Sequence, residues 1–286
     1  MELDGRVAVV TGAASGIGLA LTERFLAEGM SVVMADIEEP KLAAEAERIA
    51  DAGGAVRPVV CDVSDSAQVA ALRDDAVSAF GSVHLLCNNA GVGIKEAQRR
   101  IWTLTPNDWT WGFNVNVMGV ANGIRAFVPA MLAHGEPGHV VNTSSGNGGL
   151  TSMPTTPVYA ASKAAVTSLT EVLHYQFLMD RAALQAHVLF PGPHLVNTNI
   201  LSAMRNRPAE LRDEDAPVAY TTMRDLATAS GIRNLELTEP EEVAASCLQG
   251  MRENRFWILP ASTAQDARIS RRTRSILDRE NPVLPE

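Results

Sequence analysis

Cysteine is scarce in this sequence of 286 residues, and its histidines are scattered. The three cysteines, Cys61, Cys87 and Cys247, lie apart among apolar residues and form no CxxC pair. This pattern predicts buried free thiols in a reducing compartment, and therefore a cytoplasmic protein. The six histidines lack the spacing of metal ligands, so we predict no metal site.

Long apolar runs and an excess of positive charge are also missing. No run approaches the roughly 18–20 residues of a membrane span, and residues 1–6 lack the pattern of a signal peptide. The 24 basic residues are outnumbered by 33 acidic ones, which gives a net charge of -9. A nucleic-acid interface usually needs a basic face. We therefore expect neither a membrane nor a nucleic acid as a partner.

What the sequence contains is a regular alternation of apolar runs and helical patterns, without repeats or linkers. Helices are predicted from the first glycine-rich turn to about residue 29, at about 40–52, 66–80 and 109–132 (with a break allowed), from about 159 onward, and at 239–253. This order predicts a single doubly wound α/β domain over residues 1–286, with helices on both faces of a parallel sheet. The seven predicted strands cover residues 6–11, 31–35, 56–60, 83–87, 139–142, 185–190 and 255–259.

Two regions depart from the alternation. Residues 193–237 contain prolines, charges and scattered Met and Leu with weak helical periodicity. A connection of that length in a compact fold is usually functional, so we interpret it as a substrate loop or lid. Residues 261–286 form a basic, polar C-terminal extension, which we expect to be a surface helix packed on the domain or on a neighbouring subunit.

Glycines follow the first strand in a GxxxGxG spacing, which departs from the GxGxxG fingerprint of dinucleotide sites. Glycine allows a tight turn and a close backbone approach, and a helix N-terminus offers free N–H groups to a pyrophosphate. The alternative is that these glycines serve only a tightly packed turn. The predicted contacts with a dinucleotide are Gly12, Ser15, Gly16, Ile17 and Gly18.

Asp36 ends the second predicted strand, 18 residues after Gly18. A carboxylate there can accept both hydroxyl groups of an adenosine ribose, and its charge repels a 2′-phosphate. Position 37 is Ile, and the glycine turn contributes Ala13 to Ser15, so nothing basic stands beside Asp36 in the sequence. We therefore predict NAD(H) as the cofactor rather than NADP(H).

The third and fourth strands end in further candidate contacts. Asp62 and Val63 close the third strand, where the acid can meet an adenine amino group or can serve only as a turn or cap residue. Asn89 lies in Asn-Asn-Ala-Gly at the carboxyl end of the fourth strand, the edge at which such sheets bind ligands. Its small neighbours would let a nicotinamide riboside lie against the backbone.

Tyr159 and Lys163 are four residues apart at the start of a predicted helix, and therefore lie on one face of it. An ammonium group beside a phenol favours the phenolate, which makes the tyrosine a candidate proton-transfer group. The spacing alone is weak, because many surface helices contain it by chance.

Taken together, these motifs resemble the short-chain dehydrogenase/reductase family over roughly residues 5–195, with the strand at 255–259 in addition. The resemblance implies a single Rossmann-type doubly wound domain with a seven-stranded parallel sheet and an extended C-terminal tail. The motifs that carry it are Thr11 to Gly18, Asn88 to Gly91, Asn142 to Ser145, Tyr159-x-x-x-Lys163 and Pro191-Gly192.

By the same resemblance, four positions are catalytic. Tyr159 would take the alcohol proton, with its pKa lowered by Lys163 and the nicotinamide cation. Ser145 would hydrogen-bond the substrate oxygen, and Ser144 is its rival. Lys163 would also grip the nicotinamide ribose, and Asn116 would hold a water that relays protons; a residue that merely caps a helix kink is the compatible alternative for Asn116.

The resemblance implies an NAD-dependent oxidoreductase that acts on a secondary alcohol or ketone, as a homodimer or homotetramer. A weaker resemblance, to a bacterial subgroup that acts on aromatic secondary alcohols of the lignin aryl-ether type, favours a bulky apolar or aromatic substrate. Steroid or hydroxy-lipid dehydrogenation and a non-catalytic NAD-binding sensor are the alternatives.

The segment after Gly192 is about two residues longer than is usual in the family, which leaves its contact with the nicotinamide open. Candidate pocket residues are Trp102, Met153, Leu201, Met204, Met223 and Leu226, although Met and Leu at such spacing are more often plain core.

Overall fold

The computed structural model describes residues 2–97, 99–213, 222–225 and 235–284. Nine strands are described: β1 Val7–Thr11, β2 Ser31–Asp36, β3 Val56–Val60, β4 Leu85–Asn88, β5 Gly138–Thr143, β6 Leu184–Leu189, β7 Leu195–Val196, β8 Leu237–Thr238 and β9 Trp257–Ile258. Eight α-helices are described: α1 Gly16–Ala27, α2 Glu39–Asp51, α3 Ser66–Phe80, α4 Pro106–Phe113, α5 Gly119–His134, α6 Pro157–Met179, α7 Pro240–Arg252 and α8 Thr263–Asp278.

Seven of these strands form one sheet in the order β3-β2-β1-β4-β5-β6-β9, and every neighbouring pair is parallel. The predicted doubly wound α/β fold with a seven-stranded parallel sheet is confirmed. The strand order reverses between β1 and β4, and ligands of such sheets bind in the crevice at the carboxyl ends next to that point.

Alternating side chains of β1 explain why the sheet is covered on both faces. Ala8 and Val10 belong to one core cluster, which includes Leu21 and Phe25 of α1 and residues of α7. Val7 and Val9 belong to a second cluster on the other face, with residues of α3 and α5. Successive residues of a strand point to opposite faces, so an uninterrupted apolar run requires helices on both.

The helix predicted over residues 109–132 is broken in two. A capping box between Thr105 and Asp108 starts α4 at Pro106. A π-helical turn, Asn114–Met118, then separates α4 from α5. Single π-helical turns within helices are frequently found at functional sites. Among the described residues, the combined run Pro106–His134 is long and apolar enough to cross a membrane, but half of its most apolar window is buried inside the fold, as in a core helix.

The two ends of the predicted substrate loop are paired with each other. Leu195 and Val196 of β7 lie parallel to Leu237 and Thr238 of β8, so a small two-stranded sheet closes the base of this segment. The weak periodicity of the loop sequence did not predict these two-residue strands. Its first half contains two short 3-10 helices, Ile200–Asn206 and Ala209–Leu211.

The C-terminal extension forms the predicted surface helix, α8, whose residues are all at least partly exposed. Two contacts hold it against the segment after β5. Arg272 donates a hydrogen bond to the backbone oxygen of Leu150, and the amide group of Gln265 lies so close to Gly146 that a side-chain carbon there would be only 2.6 Å away.

A buried ion-pair cluster anchors the first half of the substrate loop to α4. Arg207 is 1% exposed, and its Nη1 donates to Asp108 Oδ1 over 2.8 Å. Arg99 donates to the other oxygen of Asp108 over 2.9 Å. The guanidinium of Arg207 also binds Asp213 and lies 5.5 Å from the ring centroid of Trp111. The loop segment before residue 214 is therefore tied to the body of the domain.

We expect Asp108→Asn to lower the free energy of unfolding by about 3–5 kcal/mol, because it removes the buried partner of Arg207 and leaves that charge only the partly exposed Asp213. Denaturant unfolding of both proteins measures this loss. Asp75→Asn is the matched control: its ion pair with Arg57 is solvent-exposed (side chains 30% and 52% exposed), so its loss should cost below about 1 kcal/mol. Equal costs for the two variants would show that the cluster is not an anchor.

Candidate active site

A cavity of about 540 Å³ opens at the carboxyl ends of the sheet strands, next to the point where the strand order reverses. One end is walled by the glycine turn after β1 and by the residues that end β2 and β3. The other end is walled by residues after β4 and β5, by the start of α6 and by the substrate loop. The predicted cofactor and catalytic motifs thus meet at one site.

The glycine turn is shaped for a close backbone approach. Gly12 and Gly16 have φ angles of +68° and +53°, a region that glycine occupies without strain. A side-chain carbon on Gly18 would lie 2.0 Å from the backbone oxygen of Gly12, so no larger residue fits there. Ser15 is the N-cap of α1, and Ser15, Gly16 and Ile17 line the cavity beside Gly12. The turn therefore presents a helix N-terminus to the cavity, which suits a pyrophosphate.

Asp36 lies on the cavity wall at the end of β2, as its sequence position predicts. Its two carboxylate oxygens accept hydrogen bonds from the backbone N–H groups of Ala14 (2.9 Å) and Glu38 (3.0 Å). These bonds hold the carboxylate at the junction of the glycine turn and β2, and each oxygen has a further lone pair for a ribose hydroxyl.

A cation does stand near Asp36, and the sequence did not reveal it. Arg205, from the substrate loop, binds Glu38 with two hydrogen bonds, one of which is 2.7 Å long, and it lies on the cavity wall. The hydrogen bond to Glu38 and the charge of Asp36 both raise the pKa of Arg205. The expectation that no basic residue lies near Asp36 is therefore wrong for the folded protein. The sequence did not reveal Arg205 because it is 167 residues from Glu38 along the chain.

The remaining cofactor candidates lie on the same wall. Asp62 Oδ1 accepts hydrogen bonds from both the N–H and the hydroxyl of Ser64, which is the turn role, while the residue also lines the cavity. Val63 lines the cavity and packs against Gly119. Asn89 ties strand ends together: its Nδ2 donates to the Thr11 backbone oxygen over 3.1 Å.

Tyr159 and Lys163 lie one turn apart at the start of α6, and Lys163 Nζ is 5.7 Å from the centre of the phenol ring. The Ser145 hydroxyl neighbours the phenol of Tyr159 and lowers its pKa. Lys163 is 3% exposed and donates to the backbone oxygen of Thr143 over 2.9 Å. The three side chains therefore meet at the cavity, which all of them line.

The electrostatics of this group differ from the expectation in one respect. Burial raises the pKa of Tyr159, the neighbouring Ser145 lowers it, and the charge of Glu96 raises it. The pKa of Tyr159 therefore lies above its usual value. Burial lowers the pKa of Lys163 to about 8. The expected lowering of the Tyr159 pKa is thus not found in the protein by itself, since desolvation and the charge of Glu96 outweigh the effect of Ser145.

The two neighbouring serines point in different directions. Ser144 is buried, and its hydroxyl is bound to the Lys163 backbone oxygen (2.9 Å) and to Thr167 (2.8 Å). Ser145 instead reaches the phenol of Tyr159. The geometry thus favours Ser145 over Ser144 as the residue that can touch a substrate oxygen.

Asn116 lies in the π-helical turn behind the cavity wall. Its Oδ1 accepts from the N–H of Val92 over 2.8 Å, and its Nδ2 donates to the Val92 oxygen (3.1 Å) and to Ser162 (3.0 Å). A side-chain carbon on Gly91 would lie 3.3 Å from Asn116 Oδ1 and 3.5 Å from Lys163 Nζ. The asparagine thus holds the segment after β4 next to Lys163.

The substrate end of the cavity only partly follows the prediction. Leu201 and Met223 line it, but Trp102 is 79% exposed. Met204 packs in a small core cluster instead, Met153 is half-buried beside the segment after β5, and Leu226 lies outside the described residues. Apolar wall residues that the sequence did not reveal are Val92, Ile94, Trp111, Ile200, Ala203 and Leu211.

The segment after Gly192 contributes directly to the cofactor end. His194, Leu195, Val196 and Thr198 line the cavity, and the methyl carbon of Thr198 would lie 3.1 Å from a side-chain carbon on Gly16. Despite its extra length, this segment therefore brings a threonine against the glycine turn.

These features fit a dinucleotide with its pyrophosphate at the glycine turn, its adenosine ribose at Asp36 and its reactive ring near Tyr159 and Ser145. The glycines leave no room for side chains where the backbone must approach, and Asp36 offers acceptors in the position that a ribose needs. The paired hydroxyl groups of Ser145 and Tyr159 can bind one substrate oxygen and exchange a proton with it.

Comparison with known proteins agrees with this geometry. The family model described as short chain dehydrogenase matches residues 6–208. A C alpha-dehydrogenase of Sphingobium sp. is 29% identical over 288 residues, which cover 99% of this chain and 88% of the relative. A 3beta-hydroxysteroid dehydrogenase 2 of Eggerthella lenta is 34% identical over 250 residues, 85% of this chain and 86% of the relative.

Solved structures give the same result. A short-chain dehydrogenase/reductase from Burkholderia phymatum in complex with NAD has a TM-score of 0.90 and 42% identity, and the match covers 100% of this chain and 99% of that one. A metagenomic short-chain oxidoreductase in complex with NADP has a TM-score of 0.61 and 32% identity over 68% of this chain and 86% of that one. The chain belongs to the short-chain dehydrogenase/reductase family and is an oxidoreductase with a nucleotide-binding Rossmann fold.

Proposed function

We propose that this protein transfers a hydride between a secondary alcohol or ketone and NAD, with Tyr159 as the acid/base. The observation that carries the proposal is the pair of Ser145 and Tyr159, with Lys163 buried beside it, on the wall of a cavity that the glycine turn also lines. A fold that only binds a nucleotide has no need of this pair.

Each side chain has a defined task in alcohol oxidation. Ser145 donates a hydrogen bond to the substrate oxygen and holds it next to the phenol. Tyr159 takes the hydroxyl proton as a general base, while the bound nicotinamide supplies the hydride acceptor. Lys163 contributes positive charge beside the phenol and can bind the ribose. Asn116 holds the backbone at Val92 and so keeps the wall next to Lys163 in place, where a water could relay the proton.

The positive charge that Tyr159 needs has two sources. Lys163 keeps a pKa of about 8 despite its burial, so it is mostly protonated at neutral pH. The oxidised nicotinamide adds a second positive charge when it is bound. We propose that this second charge offsets the burial that raises the pKa of Tyr159 in the protein alone.

We expect Tyr159→Phe to lower kcat by about 10²–10⁴-fold, because it removes the proton-transfer group and little else. Affinity for NAD should stay within about threefold, which titration calorimetry measures independently of turnover. Tyr175→Phe on the exposed side of the same helix is the matched control and should keep wild-type kcat. Retained turnover in Tyr159→Phe would refute the assignment.

The proposed preference for NAD rests on two carboxylates. Asp36 lies where the adenosine ribose would bind, and Glu38 holds Arg205, which could otherwise neutralise a 2′-phosphate. Solved relatives with NAD and with NADP both exist, so the residues of this chain carry the argument. A fixed negative charge at the ribose disfavours the phosphate, and a cation already paired with a carboxylate offers it little.

Wild-type protein should show a kcat/KM with NAD at least about tenfold above that with NADP, which corresponds to about 1.4 kcal/mol. Asp36→Asn should lower this NAD-to-NADP ratio of kcat/KM. The double variant, Asp36→Asn with Glu38→Gln, should lower it further, because Arg205 then loses its ion pair with Glu38. Asp51→Asn, at the exposed end of α2, removes the same charge elsewhere and should leave the ratio unchanged. A higher kcat/KM with NADP in the wild type would contradict the proposal.

We further propose a bulky apolar or aromatic substrate. The apolar wall of the cavity, with Trp111, Ile94 and Leu211, supports this, as do the names of the C alpha-dehydrogenase and the hydroxysteroid dehydrogenase among the relatives. A panel of aryl, alicyclic and steroid secondary alcohols with NAD, followed at the NADH absorbance band, separates these classes. Cofactor binding without turnover on the whole panel would favour a non-catalytic sensor.

The whole chain is proposed to act as one domain, with residues 193–237 as the substrate lid, and to assemble as a cytoplasmic homodimer or homotetramer. The outer faces of α5 and α6 support the assembly, because several of their apolar side chains are exposed and flank a shallow groove. Such patches commonly mark interfaces. The exposed residues on these faces are Leu132, Val172, Leu178 and Met179.

Val172→Glu should shift the protein to monomers in size-exclusion chromatography with light scattering, because a charge is then buried at the proposed interface. Val77→Glu places the same charge on α3, where Val77 is 44% exposed, and should leave the assembly unchanged. A monomeric wild-type protein would refute the assembly without bearing on the active site.

A further inference from the structure

Glu96 is a carboxylate with no exposed surface, in the segment between β4 and α4 that forms one wall of the cavity. Its Oε2 accepts a hydrogen bond from the N–H of Val158 over 2.7 Å, and its Oε1 accepts one from the N–H of Tyr159 over 2.8 Å. A buried carboxylate is costly unless it is hydrogen-bonded. Both of its oxygens are used here on the first turn of the helix that carries the proposed acid/base.

These two N–H groups need an acceptor from outside the helix. Because α6 begins at Pro157, Val158 and Tyr159 are its second and third residues, whose N–H groups have no partner within the helix. The preceding residue, Thr156, uses its hydroxyl to accept a bond from Asn147. Glu96, more than 60 residues away in sequence, therefore caps α6, where a negative charge is favoured by the helix dipole.

The charges around Glu96 come from three elements. Burial raises the pKa of Glu96, and the N–H groups of Tyr159 and Val158 lower it. The charge of Asp108 on α4 raises this pKa and that of Arg99 lowers it, and together these effects give Glu96 a pKa of about 7. Asp108 is itself paired with Arg99 and Arg207. In the opposite direction, the charge of Glu96 raises the pKa of Tyr159, after the larger effect of burial.

We infer that Glu96 is a positioning residue for Tyr159, which fixes the backbone of the tyrosine against the cavity wall and opposes the ionisation of its phenol. The inference rests on the proposed role of Tyr159. Glu96 and the cationic groups near the phenol then act in opposite directions. Lys163 and the nicotinamide favour the phenolate, whereas Glu96 favours the phenol and so keeps a proton available for the reduction of a ketone.

The sign of the pH effect follows. In alcohol oxidation the phenolate is the active base, so kcat/KM falls on the acid side as Tyr159 becomes protonated. Removing the negative charge of Glu96 stabilises the phenolate and lowers the pH at which it forms. If Glu96 only capped the helix, its replacement would change kcat or stability. The acid limb, which is the fall of kcat/KM at low pH, would then stay at the same pH.

The test is the pH profile of kcat/KM for alcohol oxidation by Glu96→Gln and wild type, with NAD and any secondary alcohol that is turned over. The acid limb should move down by about half a pH unit or more, and kcat on the plateau should fall, because glutamine can accept only one of the two N–H bonds. Glu171→Gln, on the same helix three turns later, is the matched control and should keep the wild-type profile. An unshifted acid limb in Glu96→Gln overturns the inference.

Glu96→Asp covers the case in which Glu96→Gln does not fold. The shorter carboxylate keeps the charge but cannot span both N–H groups, so the acid limb should stay in place while kcat falls several-fold. A wild-type kcat in this variant overturns the positioning role. Failure of the inference can be told apart from failure of the proposed function. If only the inference is wrong, Tyr159→Phe is inactive and the Glu96 variants keep the wild-type pH profile and kcat. If the proposed function is wrong, Tyr159→Phe remains active.

Thermal unfolding gives a readout without turnover. The folded-state pKa of Glu96 is raised from 4.5 to about 7, so the folded protein holds this proton more tightly than the unfolded chain does. Stability from this group is present below about pH 4.5 and is lost as the pH rises through 7. The Tm of wild type relative to Glu96→Gln should therefore fall between pH 5 and 7.5, and a constant difference would contradict the raised proton affinity.

Discussion

The parallel alignment of the seven sheet strands is the constraint on which the site depends. Helices between successive strands of this sheet return the chain to its amino-terminal edge, so the carboxyl ends of all seven strands lie together. The glycine turn after β1, Asp36 after β2 and Ser145 after β5 are therefore neighbours, although more than 100 residues separate the first from the last. Reversal of the strand order between β1 and β4 opens the crevice that these residues line.

Burial of ionisable groups shapes the chemistry at that edge. Lys163, Glu96, Arg207 and Asp108 are almost completely buried, and each is bound to a backbone group or an opposite charge. Burial of a charged group is costly unless it is paired or hydrogen-bonded. The partners of these groups offset that cost, at the proposed acid/base and at the anchor of the substrate loop. The same burial raises the pKa of Tyr159, so the phenol depends on positive charge from its surroundings to ionise.

Much of the fold was predictable because apolar periodicity is a local property of the chain. All seven strands of the sheet were predicted from runs of β-branched and apolar residues, and the predicted helices between them are present. The predictions were weaker where structure depends on distant partners. The strand pair β7 and β8 forms only because the ends of the substrate loop meet. The sequence allowed a break in the helix predicted over residues 109–132 but did not predict that it would be a π-helical turn at Asn116.

The residues of the candidate site also fall into two groups, those that the sequence predicted and those that only the structure revealed. Gly12, Asp36, Ser145, Tyr159 and Lys163 could be identified from sequence by itself, because each lies within a short motif whose spacing reflects local geometry. Only the tertiary structure decided that Arg205 pairs with Glu38, that Glu96 caps α6 and that Trp102 lies outside the cavity. These contacts join residues that are far apart in the chain, and their formation depends on how helices and loops pack rather than on any local pattern.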